Sequence, residues 1–281
     1  MYPVFPDGKV KCLTMSFDDG VVQDRRLVEL FNKYNIKGTF NLDSGAFECS
    51  RLALGNFPAP VEHKKIAESE VKDLYKGHEV AVHTLTHPHL EYCSRETVAY
   101  EIHEDRLNLE RLVGYPVVGM AYPYGTWNDT VVDEAKKQGI CYSRTTVQTK
   151  TFAVPENFME WHPTVHFGDS SMPLMTQRFL DDEGGGRAMG MLRIYYIWGH
   201  SYELDGYSTW DLMEDTLAKL SGLPDVWYAT NIEIFRYVEA VRNVIKSADG
   251  SMLVNPSAIP VWFMADGKPV CIKSGETVRL G

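Results

Sequence analysis

The sequence lacks a long apolar run and any cluster of basic residues. No segment approaches the ~20 consecutive apolar residues that a membrane-spanning helix requires, so no membrane span is expected. The 281 residues include 28 lysines and arginines against 38 aspartates and glutamates, a formal net charge of −10. A negative chain without a basic patch disfavours nucleic acid and anionic membrane surfaces as partners.

Cysteine is also scarce, and its distribution argues against a disulfide framework. The chain has 5 cysteines, an odd number, and none of them forms a CxxC pair. This pattern favours free thiols in a reducing compartment. The first residues, "MYPVFPDGKVKCLTMSF", lack the charged and apolar regions of a secretory signal. We therefore expect a cytoplasmic protein; the alternative is an exported protein whose signal peptide has been removed.

Short apolar segments alternate with amphipathic ones along most of the chain. The predicted strands include "VKCLTMSF", "KGTFNL", "HEVAVHT", "VVGMAYP", "ICYSRTT", "RIYYIWGH" and "VWYAT". Helices are predicted between them; Ser94 and Asn128 are candidate N-caps, and Gly114 is a candidate helix end. Short helical crossovers imply parallel strands. The pattern predicts an α/β fold, a closed or nearly closed (β/α) barrel of about seven units, with an open doubly wound sheet as the alternative.

The alternation stops near residue 246. Beyond it, "SADGS", "ADGK" and "KSGE" are turn signals between short apolar stretches. We predict a barrel domain over 1–246 and a small β-rich C-terminal appendage over 247–281, packed on the barrel. "VWF" in the appendage is assigned to buried β packing, with a docking or oligomer surface as the alternative. Within the barrel, "DDEGGGRAMG" at 181–190 is predicted to be a glycine-rich loop.

Residues suited to catalysis follow four of the predicted strands. Asp18 and Asp19 follow the first, "HTLTH" at 83–87 follows the third, "YPYG" at 122–125 follows the fourth, and His200 ends "RIYYIWGH". In parallel α/β folds the C-terminal strand ends lie on one rim, where reactive groups gather. The sequence therefore predicts one site that contains all four segments.

Two of these segments offer the donors of a metal site. Two histidines and a carboxylate recur as ligands of a catalytic divalent metal. We predict Asp19, His83 and His87 as ligands, with His89 as an alternative to His87. Asp18 then remains free to act as general base toward water that the ion activates. A second pair at the same spacing, in "HPTVH", has no acidic dyad assigned to it and is left outside the site.

The segments "SFDDG", "HTLTH", "AYPYG" and "IWGH", in this order, resemble the motifs of the polysaccharide deacetylases. These form carbohydrate esterase family four, with the NodB-homology fold, and the resemblance extends over about residues 10–240. It implies a distorted (β/α) barrel and a metal-dependent hydrolase that removes acetyl groups from N- or O-acetylated oligo- or polysaccharides. The usual metal is zinc, and cobalt or nickel are alternatives.

Matched position by position, seven residues take functional positions of that family. The resemblance implies Asp18 as catalytic base, Asp19, His83 and His87 as metal ligands, Tyr124 as the donor of a backbone N–H to the oxyanion, His200 as general acid, and Trp198 as lining of the acetyl pocket.

The chain departs from the family pattern in three places. Trp198 stands where the family usually has a leucine, and the family's tryptophan-containing fourth motif is not clearly present, although Trp161 lies in that region. The third motif usually begins with an arginine that pairs with the catalytic aspartate, and this chain has Ala121 there. Arg144, at the end of the next predicted strand, is our candidate to replace it. Glu203 is a candidate to orient His200, with a solvated turn as the alternative.

Two other functions stay open. A related barrel hydrolase could act on a cyclic amide or another non-sugar C–N bond, and a catalytically weakened homologue could bind glycans. No oligomeric state is predicted.

Overall fold

The computed structural model describes residues 1–182 and 190–279. Most of the glycine-rich loop predicted at 181–190, and the last two residues of the predicted appendage, therefore lie outside the described residues.

The described chain consists of strands joined by helices and short turns. The strands are β1 Tyr2–Val4, β2 Lys11–Asp18, β3 Gly38–Leu42, β4 Ser50–Leu52, β5 Glu62–Lys64, β6 Glu79–Val82, β7 Gly119–Ala121, β8 Tyr142–Arg144, β9 Val165–His166, β10 Arg193–Gly199, β11 Val226–Tyr228, β12 Ile245–Lys246, β13 Met252–Val254, β14 Val261–Ala265, β15 Lys268–Ile272 and β16 Thr277–Arg279. The helices are α1 Asp24–Lys33, α2 Val71–Leu74, α3 Arg95–Val113, α4 Asp129–Lys137, α5 Met172–Leu180, α6 Ser201–Gly206, α7 Trp210–Leu220 and α8 Asn231–Arg242.

The main sheet is parallel and runs in the order β8-β7-β6-β3-β2-β10-β9, and β11 pairs with β2 as an eighth strand. β11 pairs with the beginning of β2 and β3 pairs with its end, so β2 changes neighbour along its length. At the other edge, Trp161 N donates to Ser143 O and Thr145 N donates to Trp161 O. This bridge joins β8 to the chain that enters β9. The predicted distorted (β/α) barrel is confirmed, and the irregular neighbours of β2 and β8 are its distortion.

Local sequence signals begin and end the helices that connect these strands. Ser94 caps α3, because its side chain accepts a hydrogen bond from Thr97 N, and α3 ends at Gly114 with φ 79°. Asn128 caps α4 by accepting from Val131 N. These caps satisfy backbone groups that a helix end leaves unpaired. No helix among the described residues has both the length and the apolar character needed to cross a membrane.

The C-terminal residues form two small antiparallel sheets, β12-β13-β16 and β1-β14-β15. Strand β1 comes from the opposite end of the chain and pairs Tyr2 with Met264. Val261 and Phe263 are buried and Trp262 is half-buried, as their assignment to β packing predicts. The predicted β-rich appendage is therefore present, its strands are antiparallel, and the boundary between residues 246 and 247 stays a prediction.

Candidate active site

Strand β2 delivers two adjacent carboxylates to the C-terminal rim of the barrel. The strand is buried along its whole length and ends at Asp18. Asp19 follows with φ 80°, in the left-handed region that few non-glycine residues occupy. The strand ends at this turn, and the two side chains meet different partners in the same cavity. Non-glycine residues held in this region cluster at functional sites.

Asp18 is held by side chains from two other strands, the adjacent β3 and the more distant β8. Arg144, at the end of β8, forms an ion pair with Asp18 Oδ2, and Asn41 Nδ2 donates to Asp18 Oδ1 at 2.8 Å. The Arg144 guanidinium also lies 4.5 Å from the centre of the Trp198 ring. Burial alone would raise the pKa of Asp18, but Arg144, followed by His83 and His200, lowers that pKa below its ordinary value. Asp18 is therefore an ionised carboxylate with a fixed direction.

The loop after β6 carries His83 and His87. His83 Nδ1 donates to the carbonyl oxygen of Ala121 at 2.8 Å, which leaves Nε2 unprotonated and 4.0 Å from Asp18 Oδ2. Thr84 and His87 both have positive φ, and this turn brings His87 Nε2 to 4.0 Å from Asp19 Oδ1. Burial lowers the pKa of His83, and it lowers that of His87 to about 3. Both imidazoles are neutral and can act as ligands.

Asp19, His83 and His87 fit a divalent metal. Each offers one ligand atom, and these atoms all lie within 4.8 Å of one another. One carboxylate oxygen with two neutral imidazoles suits zinc, cobalt or nickel. The alternative ligand His89 instead stacks on Tyr124, with the two ring centres 3.6 Å apart.

His200 lies between Asp18 and an acidic side chain. Its Nε2 is 3.9 Å from Asp18 Oδ2, and its Nδ1 is 3.4 Å from Glu203 Oε1. Burial alone would lower the pKa of His200, but Glu203, followed by Asp19 and Asp18, raises it to about 9. His200 is therefore an imidazolium at neutral pH.

His166 supports Glu203 from the other side. Its Nδ1 accepts a hydrogen bond from Gly168 N at 3.0 Å, so its proton is on Nε2, which lies 3.0 Å from Glu203 Oε2. His166 comes from the "HPTVH" pair that sequence reasoning left outside the site. The other member, His162, contacts Thr145 Oγ1 instead. Nothing in the sequence around His166 indicated that it would contact Glu203.

One cavity of about 400 Å³ collects these groups. The predicted residues that line it are Asp18, Asp19, His83, His87, Tyr124, Trp198 and His200. Arg144 lies behind this wall, in contact with Asp18. The structure thus brings together all eight residues that the sequence predicts for the site.

Tyr124 reaches the cavity from a tight turn after β7. Its own φ is 57°, and the following Gly125 has φ +71°. A Cβ at Gly125 would lie 2.2 Å from Thr146 Oγ1, so only glycine lets this turn pack against Thr146. Trp198 lies near the end of β10 and closes part of the cavity wall.

The hairpin of β4 and β5 adds two residues that sequence reasoning missed. His63 Nε2 lies 3.0 Å from Asp19 Oδ2. Lys65 Nζ contacts Asp19 O at 2.6 Å and Asp43 Oδ1 at 2.6 Å. His63 and Lys65 are two residues apart, the spacing of one strand face, and this was the only signal available for them.

Burial and charge separate the pKa values of the two carboxylates that Lys65 contacts. Burial would raise the pKa of Asp19, but Lys65 and then His63 hold it well below its ordinary value. For Asp43 burial prevails over Lys65, and the pKa is raised to about 7.

The fold and this site define a (β/α)-barrel protein with a candidate active site at the C-terminal rim. Residues 6–143 match the polysaccharide deacetylase family. This segment, just under half of the chain, contains Asp18, Asp19, His83 and His87.

The chain is similar to known proteins in part of its sequence and in its fold. A chitooligosaccharide deacetylase of Sinorhizobium fredii is 31% identical over 83 residues, which cover 28% of this chain and 38% of that protein. The match therefore spans well under two thirds of the relative's length. A Mycobacterium smegmatis structure, described as a candidate polysaccharide deacetylase, has 17% identity and a TM-score of 0.61, covering 86% of this chain and 95% of that chain.

A second structure has the same fold. It is a mutant of BA3943, a CE4 family pseudoenzyme with restored enzymatic activity, at 16% identity and a TM-score of 0.51. The alignment covers 84% of this chain and 70% of that chain.

Proposed function

We propose that the protein is a metal-dependent hydrolase that removes acetyl groups from N- or O-acetylated carbohydrates. The observation that carries this proposal is the convergence, in one cavity, of an ionised Asp18, the donor set of Asp19, His83 and His87, and a protonated His200. A base, a metal site and an acid are the three groups that metal-assisted hydrolysis of an acyl bond needs.

Asp19, His83 and His87 would hold the ion, with zinc as the first choice and cobalt or nickel as alternatives. A bound divalent ion supplies Lewis-acid polarisation of the acyl carbonyl and of the attacking water. Neighbouring groups orient two of the proposed ligands. The Ala121 carbonyl orients His83 by accepting from its Nδ1, and His63 contacts Asp19 at Oδ2.

Asp18 takes the proton of the attacking water. The ion pair with Arg144 and the hydrogen bond from Asn41 keep its carboxylate ionised and directed, because both partners stabilise negative charge. His200 gives its Nε2 proton to the departing amine or alkoxide, and Glu203 stabilises the imidazolium until then. One water is consumed, and acetate and the free amine or alcohol are released.

Tyr124 and Trp198 are assigned to the acyl group. The backbone N–H of Tyr124 is the proposed donor to the oxyanion that develops on the carbonyl oxygen. The Trp198 ring, in the cavity wall, is the proposed apolar surface for the acetyl methyl.

Acetate release tests the proposal. N-acetylated and O-acetylated oligosaccharides are incubated with metal-loaded protein, with chelated protein and with Asp18→Asn. We expect release only from the loaded protein, lowered in Asp18→Asn by about 10²–10⁴-fold because the base is lost. Asp133→Asn removes an exposed aspartate on α4 and serves as the matched control.

Three results would contradict the proposal. Release by the chelated protein would exclude metal dependence. Metal binding without acetate from any saccharide would favour a cyclic amide substrate instead. Failure to bind metal would show that the proposed ligands are wrong.

A further inference from the structure

Lys65 is a buried cation in contact with a proposed metal ligand. Its side chain is 6% exposed and follows β5 directly. Nζ lies 2.6 Å from Asp19 O, 3.3 Å from Asp19 Oδ1 and 2.6 Å from Asp43 Oδ1. Lysine is rarely buried to this degree unless it is paired, and here Asp19 and Asp43 share the ammonium charge.

Both carboxylate oxygens of Asp19 are in use. His63 holds Oδ2, and Lys65 contacts Oδ1, which is also the oxygen nearest to His87 Nε2. A cation coordinated together with His87 would therefore use the oxygen that Lys65 contacts. Lys65 and the cation would compete for one acceptor.

Lys65 remains close even when it gives up that acceptor. Two of its three contacts, to Asp19 O and Asp43 Oδ1, do not involve Asp19 Oδ1. A divalent ion at this site would lie beside a fixed ammonium group. Repulsion between like charges is screened little where solvent is excluded, so it weakens binding of the ion.

We propose that Lys65 keeps the affinity of this site for divalent metal low, and that its ammonium group balances the negative charge of Asp19 in the metal-free protein. This inference rests on the proposed function, because it takes Asp19 as a metal ligand. It gives Lys65 an influence on metal affinity in addition to that of the three proposed ligands.

Cobalt binding measures the effect directly. Co²⁺ is titrated into metal-free protein and followed by calorimetry and by visible absorbance, which reports the ligand environment. Lys65→Met keeps the length of the side chain and removes its charge, and we expect it to bind Co²⁺ at least about tenfold more tightly. Lys64→Met removes an exposed charge from the neighbouring residue, and its affinity should stay within about twofold of wild type, because exposed charges are screened.

Asp43→Asn tests the same inference in the opposite direction and does not depend on the folding of Lys65→Met. At pH 8, where Asp43 is mostly ionised, the substitution removes the negative charge that faces Lys65, so Co²⁺ should bind several-fold more weakly. The metal-free Lys65→Met protein should also melt at a lower temperature and gain more from added Co²⁺ than wild type does.

The outcomes separate this inference from the proposed function. Equal or weaker binding by Lys65→Met, or tighter binding by Asp43→Asn, would overturn the role of Lys65 alone. Co²⁺ binding that is unchanged in His87→Ala would overturn the proposed metal site, and with it the role of Lys65.

Discussion

Asp18 and Asp19 are neighbours in the chain but have different electrostatic surroundings. Asp18 faces Arg144 and His200, whereas Asp19 faces Lys65 and His63. A continued strand would point Asp19 to the opposite face from Asp18. The strand instead ends in a turn at Asp19, with φ 80°, and both side chains line the same cavity with different partners. Two adjacent carboxylates can therefore have different functions, one in proton transfer and one in metal binding.

Glu203→Gln is expected to shift the alkaline limit of activity. Burial alone lowers the pKa of His200, and Glu203 is the first of the groups that raise it to about 9. The acid form is active, so wild-type activity should fall as pH rises through about 9. In Glu203→Gln the fall should begin about 1–2 pH units lower. The pH profile of kcat/KM measures this; an unchanged alkaline limb would show that Glu203 does not act on His200.

The same raised pKa has a consequence for stability. A group whose pKa is higher in the folded protein stabilises that protein fully below its ordinary pKa. For His200 this contribution is lost as pH rises through about 9. Glu203→Gln should remove most of that pH dependence from the melting temperature.

Arg144→Met is expected to change the acidic limit instead. Without the guanidinium, only more distant charges oppose the effect of burial on Asp18, so the pKa of Asp18 should rise. On acidification, the variant should therefore lose activity at a higher pH than wild type does. Removal of one partner from a buried ion pair also costs about 3–5 kcal/mol of stability. The pH profile and chemical denaturation measure the two effects, and Arg144→Lys, which keeps the charge, should show smaller changes in both. An acidic limb that does not move would exclude this role of Arg144.

Sequence reasoning identified the residues that end or follow strands of the repeating (β/α) pattern and missed those that reach the site from outside that pattern. Asp18, His83 and His200 follow apolar segments whose pattern marks the rim. His166 lies in a strand of two residues, and Lys65 follows the short β5 of the β4–β5 hairpin, so neither is preceded by an apolar segment that marks the rim. The contact between Arg144 and Asp18, expected from the departure at Ala121, is present; its role in catalysis remains a prediction.

At the scale of elements, the β4–β5 hairpin is the part that the (β/α) alternation does not include. Its connecting loop is held by Phe57, whose ring centre lies 4.9 Å from that of Tyr207 and 6.2 Å from that of Tyr202. Tyr202 lies in helix α6, which begins directly after His200, and Tyr207 directly follows the last residue of that helix. The hairpin that carries His63 is therefore packed against the segment that carries the proposed acid.

Gly206→Ala should loosen this hairpin. A Cβ at Gly206 would lie 2.4 Å from Phe57 Cδ1, so the Phe57 ring must move away. We expect several-fold lower kcat/KM and faster proteolysis within residues 53–61, with a small change in melting temperature, because the barrel core is untouched. Phe57→Ala should loosen the loop as well, and the double variant should be no worse than Phe57→Ala. Unchanged protease resistance in Gly206→Ala would contradict this packing role.

At the scale of the whole molecule, Tyr237 connects the barrel to both ends of the chain. This residue of α8 donates its hydroxyl proton to Val4 O, and it accepts a hydrogen bond from Trp262 N at 3.0 Å. The apolar cluster between α8 and the appendage includes Phe263. These contacts bind the appendage to the last helix of the barrel.

Tyr237→Phe should lower the free energy of unfolding by about 1–3 kcal/mol, because it leaves a buried carbonyl and an N–H without their partner. The side chain is almost fully buried, so solvent cannot easily replace the hydroxyl. Chemical denaturation measures the change. Val238→Ala, which shortens a buried side chain on the same helix, serves as a comparison. No loss in Tyr237→Phe would show that the appendage is stabilised by apolar contacts alone.

The barrel was predictable because its strands and helices repeat at short range. The pairing of β1 was not, since its partner β14 lies near the other end of the chain and a three-residue strand has no distinctive pattern. The sequence also could not predict that β2 pairs with β11 at its beginning and with β3 at its end, because β3 and β11 both have the apolar composition of an inner strand.

The position of β1 also determines an order of events during synthesis on the ribosome. Tyr2 pairs with Met264, so β1 has no partner strand until almost all of this sequence has been translated. At about 5–20 residues per second, that interval is on the order of 13–50 s. The barrel strands can pair meanwhile, whereas the backbone groups of the nascent β1 lack their partner strand, and a chaperone or a neighbouring nascent chain could bind them. Completion of this small sheet is therefore a late, post-barrel step in the biogenesis of the protein.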